Sequence, residues 1–105
     1  MIRGTTPTLT FKLPFQVSNL DEYWITISQK YENIAINKTS EDCTADDDTI
    51  TVILSQEDTL KLIGDKPVYI QIRALTTEDE ALATKMWACA VDDILKEGVI
   101  TSGNS

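Results

Sequence analysis

The chain has 105 residues, 17 acidic against 9 basic side chains and no histidine, for a formal net charge of −8. Hydrophobic residues at 42 % and charged residues at 25 % suit one globular core and exclude a disordered chain. The missing histidine removes the commonest general base and metal ligand, and the acidic balance argues against binding along a phosphate backbone.

Thr8 to Phe15 alternates, with Leu9, Phe11, Leu13 and Phe15 on one side and Thr8, Thr10 and Lys12 on the other. That period of two predicts a half-buried strand, and Pro14, which lacks an amide donor, predicts an edge position or the strand's end. Ser18-Asn19-Leu20-Asp21 is turn chemistry. A second strand over Glu22 to Gln29 sets Tyr23, Ile25 and Ile27 against Trp24, Thr26 and Ser28. Lys30 to Asn33 connects it to a third, which runs through Ile34 and Ile36 to Thr39, and the two read as a hairpin.

The acidic stretch from Glu41 to Asp48 predicts a solvated loop. A fourth strand, Thr49 to Leu54, turns Ile50, Val52 and Leu54 inward and leaves Ile53 as an exception. Ser55 suits a helix N-cap, with Glu57 and Asp58 in the first turn. The resulting helical corner runs through Leu62 and stops at Gly64, with Leu60 and Ile63 expected over one end of the core. Pro67 opens a fifth strand to Leu75, with Val68, Ile70, Ile72 and Ala74 facing in and Tyr69, Gln71, Arg73 and Leu75 facing out. Thr76 to Glu80 is a hairpin loop, and a sixth strand from Ala81 to Val91 is partly apolar on both faces.

Asp92 to Leu95 is expected as a short turn or helix, and Gly98-Val99-Ile100 as a final extended segment. Six or seven short strands with one short helical corner predict an all-β, antiparallel β-sandwich. The expected organisation is a single domain over 1–100 and a polar tail over 101–105. No apolar run approaches the ~20 residues that cross a bilayer, and no charged-then-apolar signal pattern opens the chain, so neither a membrane nor a signal peptide is expected.

Few residues suggest chemistry. Asp46, Asp47 and Asp48 are weak candidates for a hard cation, but the turn glycine and distant glutamate of a calcium loop are missing. Asp92, Asp93 and the Glu78 to Glu80 loop are the carboxylates available for glycoside chemistry, in a chain short for a deep pocket. Serines and threonines lack a histidine partner, and no nucleophile elbow or phosphate-binding glycine loop occurs. No catalytic residue and no cofactor is therefore predicted. Cys43 and Cys89 allow one disulfide or two thiols, and the acidic neighbours of Cys43 raise a thiol pKa. By strand parity, Trp24 and Trp87 are either core residues or exposed aromatics marking a protein or glycan contact. The Thr8 to Phe15 edge is a further place where a neighbour's strand could add.

Three stretches carry a resemblance. Met1-Ile2-Arg3-Gly4-Thr5-Thr6-Pro7-Thr8 with Phe11-Lys12-Leu13-Pro14-Phe15, then Leu54-Ser55-Gln56-Glu57-Asp58-Thr59-Leu60 with Val68-Tyr69-Ile70-Gln71-Ile72-Arg73, come first. The ending from Val91-Asp92-Asp93-Ile94-Leu95 to Ile100 completes them. Together they resemble small phage and prophage proteins of gut Firmicutes. The helical corner followed by a hairpin is similar to the immunoglobulin-like N-terminal domain of phage baseplate upper proteins. Those proteins continue into receptor-binding or linker regions, whereas this sequence stops at Ser105. The resemblance implies a non-enzymatic structural or interaction module associated with a phage or prophage tail or baseplate. Its partners would be other protein subunits, of the virion or of its own kind as a homo-oligomer, with no nucleic acid and no membrane. Its location would be a virion or the bacterial cytoplasm. Trp24, Tyr69, Arg73 and Trp87 are the interaction residues expected. The alternatives are a carbohydrate-binding sandwich using exposed tryptophans and a small hydrolase using acidic residues.

Overall fold

The alternating stretches form strands whose apolar sides face each other, in a computed structural model that describes residues 1–102 apart from the Lys30 side chain. The strands are β1 (Thr8–Lys12), β2 (Leu20–Gln29), β3 (Ile34–Thr39), β4 (Cys43–Asp46), β5 (Thr49–Ile53), β6 (Val68–Thr76), β7 (Ala81–Ala83) and β8 (Trp87–Cys89), with one short helix, α1 (Gln56–Leu60), after β5. The pairings between these strands are antiparallel. The smaller sheet has the order β1-β5-β4. The larger runs β3-β2-β6, with β7 and β8 following one another along the far side of β6. The protein is an all-β sandwich.

The core lies between the sheets. β2 supplies Tyr23, Ile25 and Ile27, β6 supplies Val68, Ile70, Ile72 and Ala74, and β1 and β5 supply Phe11, Ile50 and Val52 from the other side. Each buried isoleucine or valine contributes roughly 1.5–3 kcal/mol. β1 is an edge strand, as Pro14 predicts, and its last paired residue is Lys12. Among the described residues no helix is long and apolar enough to cross a membrane.

The expected acidic loop is mostly ordered backbone. One helical turn, Ser40–Asp42, leads into β4, which pairs with β5 from Cys43↔Val52 to Asp46↔Thr49. Asp47, with φ 50°, and Asp48 form the two-residue turn of this hairpin, a conformation that aspartate tolerates. The carbonyls of Asp48 and Asp47 accept from the Leu13 and Val17 amides at 2.7 and 2.8 Å. Pairing satisfies the backbone while the carboxylates stay in water.

The expected sixth strand is broken in two. After β7 the chain departs at Thr84–Met86 and resumes pairing with β6 at Trp87. Thr84 is buried, and its Oγ1 accepts from the Ile72 amide at 3.1 Å and donates to the Lys85 carbonyl at 2.9 Å. Its own amide donates to the Ile72 carbonyl at 2.9 Å. The extra residue reverses side-chain parity: Leu82 and Thr84 turn inward before the break, and Trp87, Cys89 and Val91 after it. Eight strands replace the six or seven expected because β4 was unforeseen and this strand is split.

The helical corner begins as predicted. Ser55 Oγ accepts from the Asp58 amide and Asp58 Oδ2 accepts from the Ser55 amide, both at 3.0 Å, which closes a capping box. Leu62, 1 % exposed, closes the core end instead of the expected Leu60 and Ile63; Leu60 is half-buried and Ile63 exposed. The left-handed residue after the corner is Asp65, with φ 64°. Gly64 is required by proximity instead, since a Cβ there would lie 2.5 Å from Asp93 Cβ. Residues 92–95 form no helix; Asp92 bridges to Ile2 in parallel, and Ile100 exchanges hydrogen bonds with the Gln56 side chain at 2.8 and 3.0 Å. Gly98 to Ile100 adds no strand. Of the expected tail, Thr101 and Ser102 are exposed and outside any element, and residues 103–105 lie outside the described residues.

Candidate functional site

Alternation that buries one side of β2 and β6 necessarily presents the other side to solvent. On this outer face of the larger sheet, Trp24 lies opposite Arg73, Thr26 opposite Gln71 and Ser28 opposite Tyr69. Ala83 of β7 extends the Arg73 row and Ala88 of β8 the Tyr69 row. Thr26 Oγ1 donates to Asn37 Oδ1 of β3 at 2.9 Å, and Gln71 Nε2 donates to the Thr84 carbonyl at 2.9 Å. Thr26 and Asn37 are thereby held by each other and Gln71 by the Thr84 backbone, while Trp24 stays 41 % and Met86 58 % exposed.

Two open depressions lie on this face and meet at Thr26. The larger, about 500 Å³, lies among Trp24, Asn37, Arg73, Leu75 and Ala81. The smaller, about 100 Å³, lies among Ser28, Tyr69, Gln71 and Met86. Among the described residues Arg73 is the only charged side chain lining either one. Glu22, on the same side of β2, is engaged elsewhere: Ser40 Oγ and the Tyr23 amide both donate to its carboxylate. The Ser40 hydroxyl in particular holds Glu22 below the usual carboxylate range. The face is therefore nearly neutral in a chain of net charge −8.

Three of the four expected interaction residues, Trp24, Arg73 and Tyr69, share this face. Trp87 does not. It turns into the sandwich, half-buried, with its ring centroid 5.1 Å from that of Phe11. The parity reversal at Thr84–Met86 is the cause, and it also brings Met86 onto the outer face, where sequence reasoning had not placed it. The crossed apolar parity of Leu82 and Trp87 was the available signal for that break.

The other candidates are dispersed. Asp46 ends β4 and Asp47 and Asp48 turn the chain, and among the described residues no three His, Cys, Asp or Glu side chains converge as a metal site. Glu78 and Glu80 line one depression of about 320 Å³ beside Phe15 and Thr76, while Asp92 lines another. The Ile94 amide first, and Arg3 ion-paired at 2.7 Å second, lower the pKa of Asp93. Cys43 and Cys89 are unpaired thiols on β4 and β8. Burial first, and Asp42 second, push the Cys43 thiol up, the direction expected from its neighbours. The chain matches no family model, no curated protein and no solved structure.

Proposed function

We propose that this protein is a non-enzymatic interaction module, a phage or prophage tail- or baseplate-associated component that docks onto another protein through the outer face of its larger sheet. One observation carries the reading: exposed Trp24 stands across from Arg73 on a face that also presents Tyr69 and Met86. Tryptophan, tyrosine, methionine and arginine are among the residue types enriched in protein interfaces, and lysine and carboxylates are among those depleted. A sugar platform usually pairs its aromatic with carboxylates that accept from hydroxyls, and neither depression is lined by one. The phage setting rests on the resemblance of the three sequence stretches.

The test combines mass spectrometry of purified particles with photo-cross-linking from position 24 and, as control, from Thr10 on the opposite sheet. The expected outcome is the chain in the particle fraction and adducts from position 24 alone. Absence from particles removes the phage assignment, and equal adducts from both positions remove the assignment of the face. An adduct to a second copy identifies a homo-oligomer. Glycan-array binding abolished by Trp24→Ala replaces the protein partner with a carbohydrate one.

A further inference from the structure

Arg73 extends from β6 onto the outer face of the larger sheet. The chain carries 17 acidic side chains, yet among the described residues Arg73, like the exposed Lys12, Lys61, Lys85 and Lys96, is in no ion pair. Arg3 pairs with Asp93 and Glu97, Lys38 with Asp58, and Lys66 with Glu32. Among the described residues no ion pair, hydrogen bond or ring contact engages the Arg73 guanidinium. Glu22, which shares the face, is turned to Ser40. Around the guanidinium lie Trp24, Leu75 and Ala81, an apolar floor open to solvent.

A guanidinium is a planar fork that matches a carboxylate with two parallel hydrogen bonds. An apolar floor beside it lowers the local dielectric and strengthens that pairing relative to one wholly in water. The same floor rewards an apolar group attached next to the carboxylate. A single cation lining these depressions does not suit a phosphate backbone, which needs several. Resting on the outer face as the binding face, we infer that the partner is a protein segment presenting a carboxylate to Arg73. An aromatic or aliphatic side chain beside that carboxylate fills the depression between Trp24, Leu75 and Ala81.

The experiment titrates the full, isotope-labelled chain with two small probes, N-acetylphenylalanine and its neutral amide, and follows resonances by NMR. The acid shifts the Trp24 indole N–H and the Arg73 Nε–H, and binds about threefold more tightly than the amide, the worth of a partly exposed ion pair. Arg73→Gln abolishes the difference and leaves the weak binding of the amide intact, whereas Arg73→Lys keeps part of it. Equal binding of acid and amide overturns the proposal, as does an acid preference that survives in Arg73→Gln or maps away from Trp24. Cross-linking from position 24 alongside equal binding of the two probes leaves the face assignment standing and removes only the carboxylate. Loss of cross-linking from position 24 removes the face assignment, and this inference with it.

Discussion

Phe11 and Trp87 meet ring to ring between the two sheets, their centroids 5.1 Å apart and their planes inclined at 31°. This contact separates the two tryptophans, because Trp24 points the opposite way from the larger sheet. Trp87→Ala removes packing against Phe11 and should cost about 3 kcal/mol of unfolding free energy. Trp24→Ala should change stability by less than about 1 kcal/mol. Urea unfolding of the two variants measures the difference. Acrylamide should quench the emission of Trp24 more strongly than that of Trp87.

The break after β7 makes a second prediction. Thr84 Oγ1 is the acceptor for the buried Ile72 amide where the strand ladder is interrupted. Thr84→Val preserves shape but strands that amide, at a cost of about 1–3 kcal/mol. Amide exchange at Ile72 should accelerate, and Thr84→Ser should restore protection.

Asp58 links α1 to β3 through Lys38 Nζ at 2.8 Å, in addition to its part in the capping box. Desolvation pushes its pKa up, but Lys38 and the two hydrogen bonds with Ser55 outweigh it, so the net shift is downward. Since the folded value lies below the unfolded one, the stabilisation is complete above about pH 4 and is lost as pH falls through the folded value. Asp58→Ala should cost about 2–3 kcal/mol at neutral pH, as it leaves Lys38 without its anion and the Ser55 amide without its acceptor in the capping box. Denaturant titrations at a series of pH values should show a shallower acid decline in Asp58→Ala than in the parent.

Gly64→Ala should be destabilising although φ at Gly64 is not in the left-handed region. The new Cβ would stand 2.5 Å from Asp93 Cβ and 2.6 Å from its Cγ, close to the backbone where the side chain cannot swing aside. Overpacking of this kind costs about 1–3 kcal/mol. Asp93→Gly in the same chain removes the obstructing atoms, and thermal melts of the single and double variants should show the loss partly recovered.

Period-two alternation made β1, β2, β5 and β6 readable, with their buried sides, because each has one face on the core and one in water. The exposure of Ile53, at 64 %, follows from that rule although its chemistry does not. β4 escaped because an edge strand with mostly exposed side chains needs no apolar pattern. Its hydrogen bonds to β5 hold it, and Thr44, Ala45 and Asp46 read like a loop. Trp24, Tyr69 and Arg73 could be assigned to one face from parity alone. Trp87 could not, since one irregular stretch at Thr84–Met86 inverts every position beyond it.

The net charge of −8 and the missing histidine limit the chemistry open to this chain, and alternation determines an all-β sandwich, with Ser55 marking the start of α1. These follow from local pattern and composition. Only the tertiary structure decided that Trp87 packs against the core and Met86 lies on the surface, that the Asp47-Asp48 pair turns a hairpin, and that Arg73 stands across from Trp24 with no anion among the described residues. Those outcomes depend on backbone hydrogen bonds and on contacts between residues far apart in the chain. Such pairings leave no period in the sequence, because a single inserted residue or a two-residue turn is enough to set them.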